Sequence, residues 1–368
     1  GTRICATLEA KVILTILYLI GMFTLLVAAH ELGHMWVAKR FRMLVEEFAI
    51  GFGPVLIRLG RDRDGTLYTI RLLPIGGFVR IAGMLPEESQ HPNSFASRPL
   101  YMRFLTVLAG PLASILFGFI LFVIVGLTAG LPSEKTTPRI RFVQPDSPAQ
   151  KAGLRIGDVL VAINGEPVAT TEQAAKIIRA SANKPLQLTL NRDGQTLTVQ
   201  VIPRLEDVEM GKGRRQKIGR IGVVWHTERR RESVGTVLKR GALLTVTISV
   251  GIIDSLRRLL FGQGNIHEVG SVISIASVTG ATARLGFADV VDFAASLSTM
   301  LGIINLLPIP ILDGGYLLIF LVEAIRRRQL SAEAMARVQA VGLVIVLALF
   351  LTVFSLDIYK LITGKLIR

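Results

Sequence analysis

The chain has 368 residues, 51% of them hydrophobic and 19% charged, against roughly 45–50% and about 25% in ordinary soluble domains, which excludes a disordered or collagen-like chain. Lys and Arg total 42 against 27 Asp and Glu, a formal charge of +15; these bases flank apolar runs or form short clusters, so anionic headgroups and the positive-inside rule account for them without nucleic acid. A single cysteine, Cys5, excludes an intramolecular disulfide and a cysteine zinc site, so any metal must use His and carboxylates.

The first charge-free run, Val12 to Ala29, gives about 27 Å of helix, enough to cross a bilayer core. A cleaved signal peptide is the other reading of this segment. It is rejected because cleavage would separate the following His30-Glu31-Leu32-Gly33-His34 from the helix that should carry it. From Glu47 to Ile81 the chain alternates around an Asp64-Gly65 turn, which predicts a hairpin or small sheet. Hydropathy leaves open whether it dips back into the membrane or stays in the cytoplasm. Phe104 to Ala129 is the second span, Phe293 to Leu312, broken late by Pro308 and Pro310, the third, and Val338 to Leu356 the fourth. Gly241 to Ile253 is apolar but short and ends near Arg257-Arg258, which predicts an interfacial amphipathic helix. Lys39, Arg40, Arg42, Arg98, Arg103 and the 326–328 arginines place the two loops between these spans in the cytoplasm. Both termini and the long 130–290 region are then periplasmic.

Between Arg139 and Arg204, Ser147-Pro148-Ala149, Ala152-Gly153-Leu154, Gly157-Asp158 and Asn164-Gly165-Glu166 precede a helix at Thr171 to Ala180. Strands Leu186 to Leu190 and Leu197 to Val201 follow around Asp193-Gly194. This resembles a PDZ domain of the bacterial, protease-associated kind, which binds extended peptide at a sheet edge. The basic 205–232 stretch reads as a linker.

His30 and His34, four apart on a helix, share a face and can share a metal, with Glu31 between them to activate water. That is zinc-hydrolase spacing, and such a site keeps three protein ligands and one open position. His91, His226 and His267 fall in loops. Asp313, at the end of a span running in the same direction as the first, meets the histidines at one depth and is the expected third ligand. Glu323 and Asp292 are weaker candidates. Around Asp313 the stretch Asn305-Leu306-Leu307-Pro308-Ile309-Pro310-Ile311-Leu312-Asp313-Gly314-Gly315 opens the helix and lets backbone approach closely.

The His-Glu-x-x-His span, the Asn-x-x-Pro-x-Pro-x-Leu-Asp-Gly span and the intervening PDZ resemble the site-2 protease family of intramembrane metalloproteases, most closely its bacterial sigma-factor-regulating branch. The resemblance implies one zinc held by His30, His34 and Asp313, with Glu31 catalytic. It also implies that the hairpin, with Gly76 and Gly77, and Asn305, Pro308 and Pro310 hold substrate as an extended strand. The implied substrate is an anti-sigma factor, a single-span protein of the bacterial inner membrane, cut within its span after a first protease trims it. Where the family carries Gly-Pro-x-x-Asn this chain has Gly110-Pro111-Leu112-Ala113-Ser114, and its frequent His after Leu-Asp-Gly-Gly is Tyr316. Its best-known members have two PDZ domains, this chain one.

The expected protein is therefore a polytopic α-helical membrane protein with about four transmembrane helices, a membrane-associated β-hairpin or sheet and an inserted α+β PDZ domain. Its parts run 1–38, 39–99, 100–130, 139–204 (PDZ), 205–288 (linker and interfacial helices), 289–322 and 338–357. The functional alternatives are a non-catalytic PDZ-containing membrane scaffold and a membrane zinc peptidase of another family, with Glu323 as ligand. Membrane lipid and a peptide at the PDZ domain are the expected partners. A transporter is disfavoured by four spans without an inverted repeat.

Overall fold

The computed structural model describes residues 2–84, 92–133, 136–144, 147–210, 214–262 and 272–362. His91, Pro145-Asp146 and His267 lie outside them. The chain forms two units, one comprising Gly126–Ser233 and the other built from the chain on either side of it.

The first unit opens with α1 (Thr2–Arg40), continues through β1 (Val45–Arg61) and β2 (Leu67–Ile81) and reaches α2 (Leu100–Thr128). In the turn between the strands, Asp62 Oδ1 accepts from the backbone N–H of Asp64 and of Thr66, each at 3.0 Å, and Gly65 takes φ 86°. The ribbon then folds back on itself. β1 bends at Gly51 and Gly53 and β2 at Gly76, all three at φ between 85° and 88°, where a Cβ is disfavoured. Glu47 to Ile50 consequently pair with Leu67 to Ile70 on one side and with Gly77 to Arg80 on the other, while Arg58 and Arg61 pair with Thr69 and Leu67. The expected hairpin is thus a four-segment sheet, and 77–81 is one of its edges.

The second unit contains β3 (Leu131–Pro132), β4 (Ile140–Val143), α3 (Pro148–Lys151), β5 (Val159–Ile163), β6 (Glu166–Pro167), α4 (Thr171–Ala180), β7 (Leu186–Arg192) and β8 (Gln195–Val201). β9 (Arg204–Met210), β10 (Arg214–Arg220), β11 (Val223–Trp225) and β12 (Arg229–Arg230) complete it. The sheet order β6-β5-β7-β8 encloses Leu160, Ile163, Leu186, Leu188 and Leu190 under Ala174 and Ile178 of α4. α4 is capped by Thr170, whose hydroxyl accepts from Gln173 N, while Gln173 Oε1 accepts from Ala169 N, a reciprocal N-terminal cap. This is a PDZ arrangement. The stretch expected as a basic linker is instead structured: β9 and β10 form a hairpin and β11 pairs with β4. Across the hairpin Arg220 Nη1 lies 3.3 Å from Glu206 Oε2, and opposite-charge pairs favour strands.

The first unit resumes with α5 (Val234–Leu260), α6 (Val272–Leu285), α7 (Phe287–Asn305), α8 (Asp313–Arg326) and α9 (Ala332–Ile362). Among the described residues five helices, not four, are long and apolar enough to cross a membrane, the addition being Val234–Leu259. The charges bounding its apolar run are helical too: Asp254 pairs with Arg257 and Arg258 at 3.2 and 3.0 Å, so the thirteen apolar residues understate a 27-residue helix. The expected third span is also two elements. α7 ends at Asn305, the 306–312 turn carries Pro308 and Pro310, which cannot donate into a helix, and Asp313 begins α8 rather than ending a span.

Small residues let the central helices meet, as in membrane helix packing. Gly33 of α1 lies against Ala109 and Ala113 of α2, and Gly302 of α7 against Pro111 and Ile115. Met22 and Leu26 pack with Leu121, Phe122, Ala294 and Ala295. Met35, Val45, Phe48, Ile81, Val107 and Phe320 form a second core joining α1, the sheet, α2 and α8.

Candidate metal centre

His30 and His34 are buried on one face of α1, and α2 holds both rings by Nδ1. His30 Nδ1 is 2.9 Å from Ser114 Oγ and His34 Nδ1 is 2.9 Å from the Thr106 carbonyl. A carbonyl only accepts, so the His34 Nδ1 carries a proton and its Nε2 can present a lone pair. Gly110, between those two contacts, leaves room for the His34 ring, which a Cβ there would overlap. Ser114 therefore supplies the imidazole contact itself where the family pattern has Asn.

The two Nε2 atoms are 3.2 Å apart, and Asp313 Oδ2 lies 3.1 Å from that of His30 and 3.5 Å from that of His34. Four-coordinate zinc with bonds of about 2.0–2.1 Å separates its ligand atoms by about 3.3 Å. The three atoms match that triangle. Asp313 Oδ2 is buried without a hydrogen-bond partner, a cost that a bound cation removes. Two imidazoles and a carboxylate suit zinc, so the residues present fit the metal.

Glu31 sits beside this triangle, and its Oε2 accepts from the Val79 backbone N–H at 2.9 Å. The sheet edge 77–81 thus reaches the site. A cavity of about 330 Å³ holds His30, Glu31, His34 and Asp313, with Asn305, Ile311 and Tyr316 among its walls. Tyr316 Oη accepts from Gln339 Nε2 at 2.6 Å. Ile311 adopts φ 85°, a strained conformation for a β-branched residue, in the turn that delivers Asp313.

Of the residues implied to bind substrate, Asn305 lines the cavity, while Gly76, Gly77, Pro308 and Pro310 do not. Gly76 lies under the Phe52 ring and Gly77 against Ala49 and Val27. Glu323 is at the far end of α8, paired with Arg103 at 3.0 Å, and among the described residues the cluster able to hold a metal is His30, His34 and Asp313, without Glu323 or Asp292. Sequence reasoning missed Thr106 and Val79, because both act through backbone atoms. The spacing of Thr106 from Gly110 and Ser114, each four apart, was the available signal for a shared helix face.

A family model, Peptidase family M50, matches residues 18–349. The chain belongs to peptidase family M50. This M50 protein is 32% identical to the zinc metalloprotease RasP of Geobacillus kaustophilus, covering 94% of this chain and 98% of the relative. It is 30% identical to the regulator of sigma-W protease RasP of Bacillus subtilis, covering 94% and 99%. Among solved structures it is similar to the PDZ domain of an SdrC-like protein from Listeria innocua, at 15% identity and a TM-score of 0.21, covering 26% of this chain and 99% of that one. As an M50 member the chain is a multi-pass membrane zinc metalloprotease.

Proposed function

We propose that this protein cleaves the membrane-spanning segment of a pre-trimmed single-span protein, with His30, His34 and Asp313 holding one zinc ion and Glu31 as general base. The convergence of the three ligand atoms beside Glu31 carries this reading. Zinc bound there supplies Lewis acidity and lowers the pKa of water toward about 7. Glu31 takes the proton of the attacking water and returns it to the leaving amine. Its Oε2 is committed to Val79 N–H, which leaves Oε1 for proton transfer. The α2 contacts at each Nδ1 hold the imidazoles with Nε2 forward, the role outer-shell partners play in zinc sites.

The substrate lies extended along the 77–81 edge. A helical span hides its carbonyls in internal hydrogen bonds, and strand pairing compensates them once it unwinds away from water. The sheet's outer half supports its dipping into the bilayer, since Phe52, Leu56, Ile57 and Leu59 of β1 and Leu72 and Leu73 of β2 are exposed, an apolar patch of the kind that marks membrane contact. An anti-sigma factor is the proposed substrate class, because a relative covering nearly the whole chain is a regulator of sigma-W. The basic loops support an orientation with the zinc site toward the cytoplasm and a peptide-capturing PDZ domain in the periplasm. Cleavage of a tagged single-span substrate tests the reading: Glu31→Gln keeps one zinc per chain and abolishes cleavage. Cleavage by Glu31→Gln at the wild-type rate would overturn it.

A further inference from the structure

We infer that the buried Arg103–Glu323 ion pair is the positioning device for the third metal ligand; the inference rests on the zinc assignment proposed above.

One face of α2 carries Arg103, Thr106, Gly110 and Ser114 at helical spacing. Ser114 holds His30 and Thr106 holds His34, so two of the four residues each fix one ligand. Asp313 receives no such contact, its Oδ2 having no hydrogen-bond partner. Its place depends on where the 14 residues of α8 sit. Arg103 grips that helix. Its guanidinium stands over the Phe320 ring at 5.2 Å, and Nη1 lies 3.0 Å from Glu323 Oε2 as an ion pair without a hydrogen bond. Phe320 is seven residues from Asp313, two turns along the same face. Glu323 Oε1 accepts from Leu330 N at 3.0 Å, which also ties down the turn after α8.

Both side chains are less than a tenth exposed. A buried ion pair is poor evidence for stability, because apolar replacement is often neutral; the charge attraction it places between one point on α2 and one on α8 is what an apolar pair cannot copy. The pair therefore sets the axial position and rotation of α8, and with them the distance from Asp313 to the two imidazoles. Arg103 and Glu323 touch neither substrate nor reacting atoms and are positioning residues.

Zinc affinity of the full chain in detergent, read by chelator competition alongside thermal melting, tests this. Glu323→Gln is expected to weaken zinc at least about tenfold, the effect of losing an outer-shell support. The double variant Arg103→Met with Glu323→Leu is expected to melt near wild type and still bind zinc weakly. Phe122→Ala, which loosens α2 at its other end, is expected to lower the melting temperature and leave zinc affinity within twofold. If Glu323→Gln binds zinc within twofold of wild type, or the double variant recovers affinity together with stability, the pair is only structural and the inference fails. His34→Ala separates the two levels: wild-type zinc binding there would overturn the metal assignment itself.

Discussion

Replacing Gly110 by alanine adds one methyl, and the structure gives it nowhere to go. A Cβ there falls within 3.0 Å of Nε2, Cε1 and Cδ2 of His34, a separation packed interiors do not sustain. Retreat of α2 from α1 is resisted by α7, whose Gly302 already meets Pro111 and Ile115. The His34 ring is also tied to α2 by its Nδ1, 2.9 Å from Thr106 O. The ring must then move on the order of 1 Å, several times the ~0.2 Å that a zinc–nitrogen bond of about 2.0–2.1 Å tolerates. One ligand is lost. Loss of an outer partner alone costs about 10–100-fold in affinity, so Gly110→Ala should weaken zinc at least about 100-fold, about 2.8 kcal/mol at 1.4 kcal/mol per tenfold. Chelator competition measures it, with Gly21→Ala as control. A Cβ on Gly21 meets nothing within 4 Å, and the change gains up to about 1 kcal/mol of helix propensity. If Gly110→Ala binds zinc as tightly as Gly21→Ala, the described packing of α2 on the histidines is wrong.

Ser114→Ala, which strips the His30 Nδ1 partner and adds no bulk, should lower zinc affinity about tenfold, seen in the same titration. Val79→Pro deletes the N–H that holds Glu31; proline is tolerated at a sheet edge, so kcat should fall at least about tenfold with zinc content unchanged. Substrates with helix-breaking residues near the cut should be cleaved faster than a polyleucine span, and equal rates would refute strand pairing. In the PDZ unit Asp158 is buried, which alone would raise its pKa, but the Arg192 guanidinium, at 2.7 and 2.8 Å, and the Arg155 N–H hold it below the usual carboxylate range. A depressed folded-state pKa contributes stability above the unfolded value of about 3.9 that is lost as pH falls through the folded one. Asp158→Asn should therefore remove part of the acid sensitivity of that unit's unfolding, followed by Trp225 fluorescence.

The histidine pair was legible because its chemistry depends on a four-residue period that any helix enforces. Asp313 was legible as a residue beside prolines, yet not as the first residue of α8, since a hydropathy run does not register that Pro308 and Pro310 end one helix and permit another. The fifth long helix reads as a short interfacial one because Asp254, Arg257 and Arg258 end the apolar run, although they pair with one another and the helix continues through them. The doubled sheet was hidden for a related reason. Alternation gives faces, but the bends at Gly51, Gly53 and Gly76 decide which segments become neighbours. Backbone partners such as the Thr106 carbonyl and Val79 N–H carry no side-chain signature at all.

X-ray absorption at the zinc edge on the purified full chain tests the metal centre most directly. One zinc per chain is predicted, with an all-nitrogen-and-oxygen shell at about 2.0–2.1 Å that includes two imidazoles, and a shell altered in Asp313→Ala but unchanged in Glu31→Gln. An identical spectrum and stoichiometry for Asp313→Ala would contradict it.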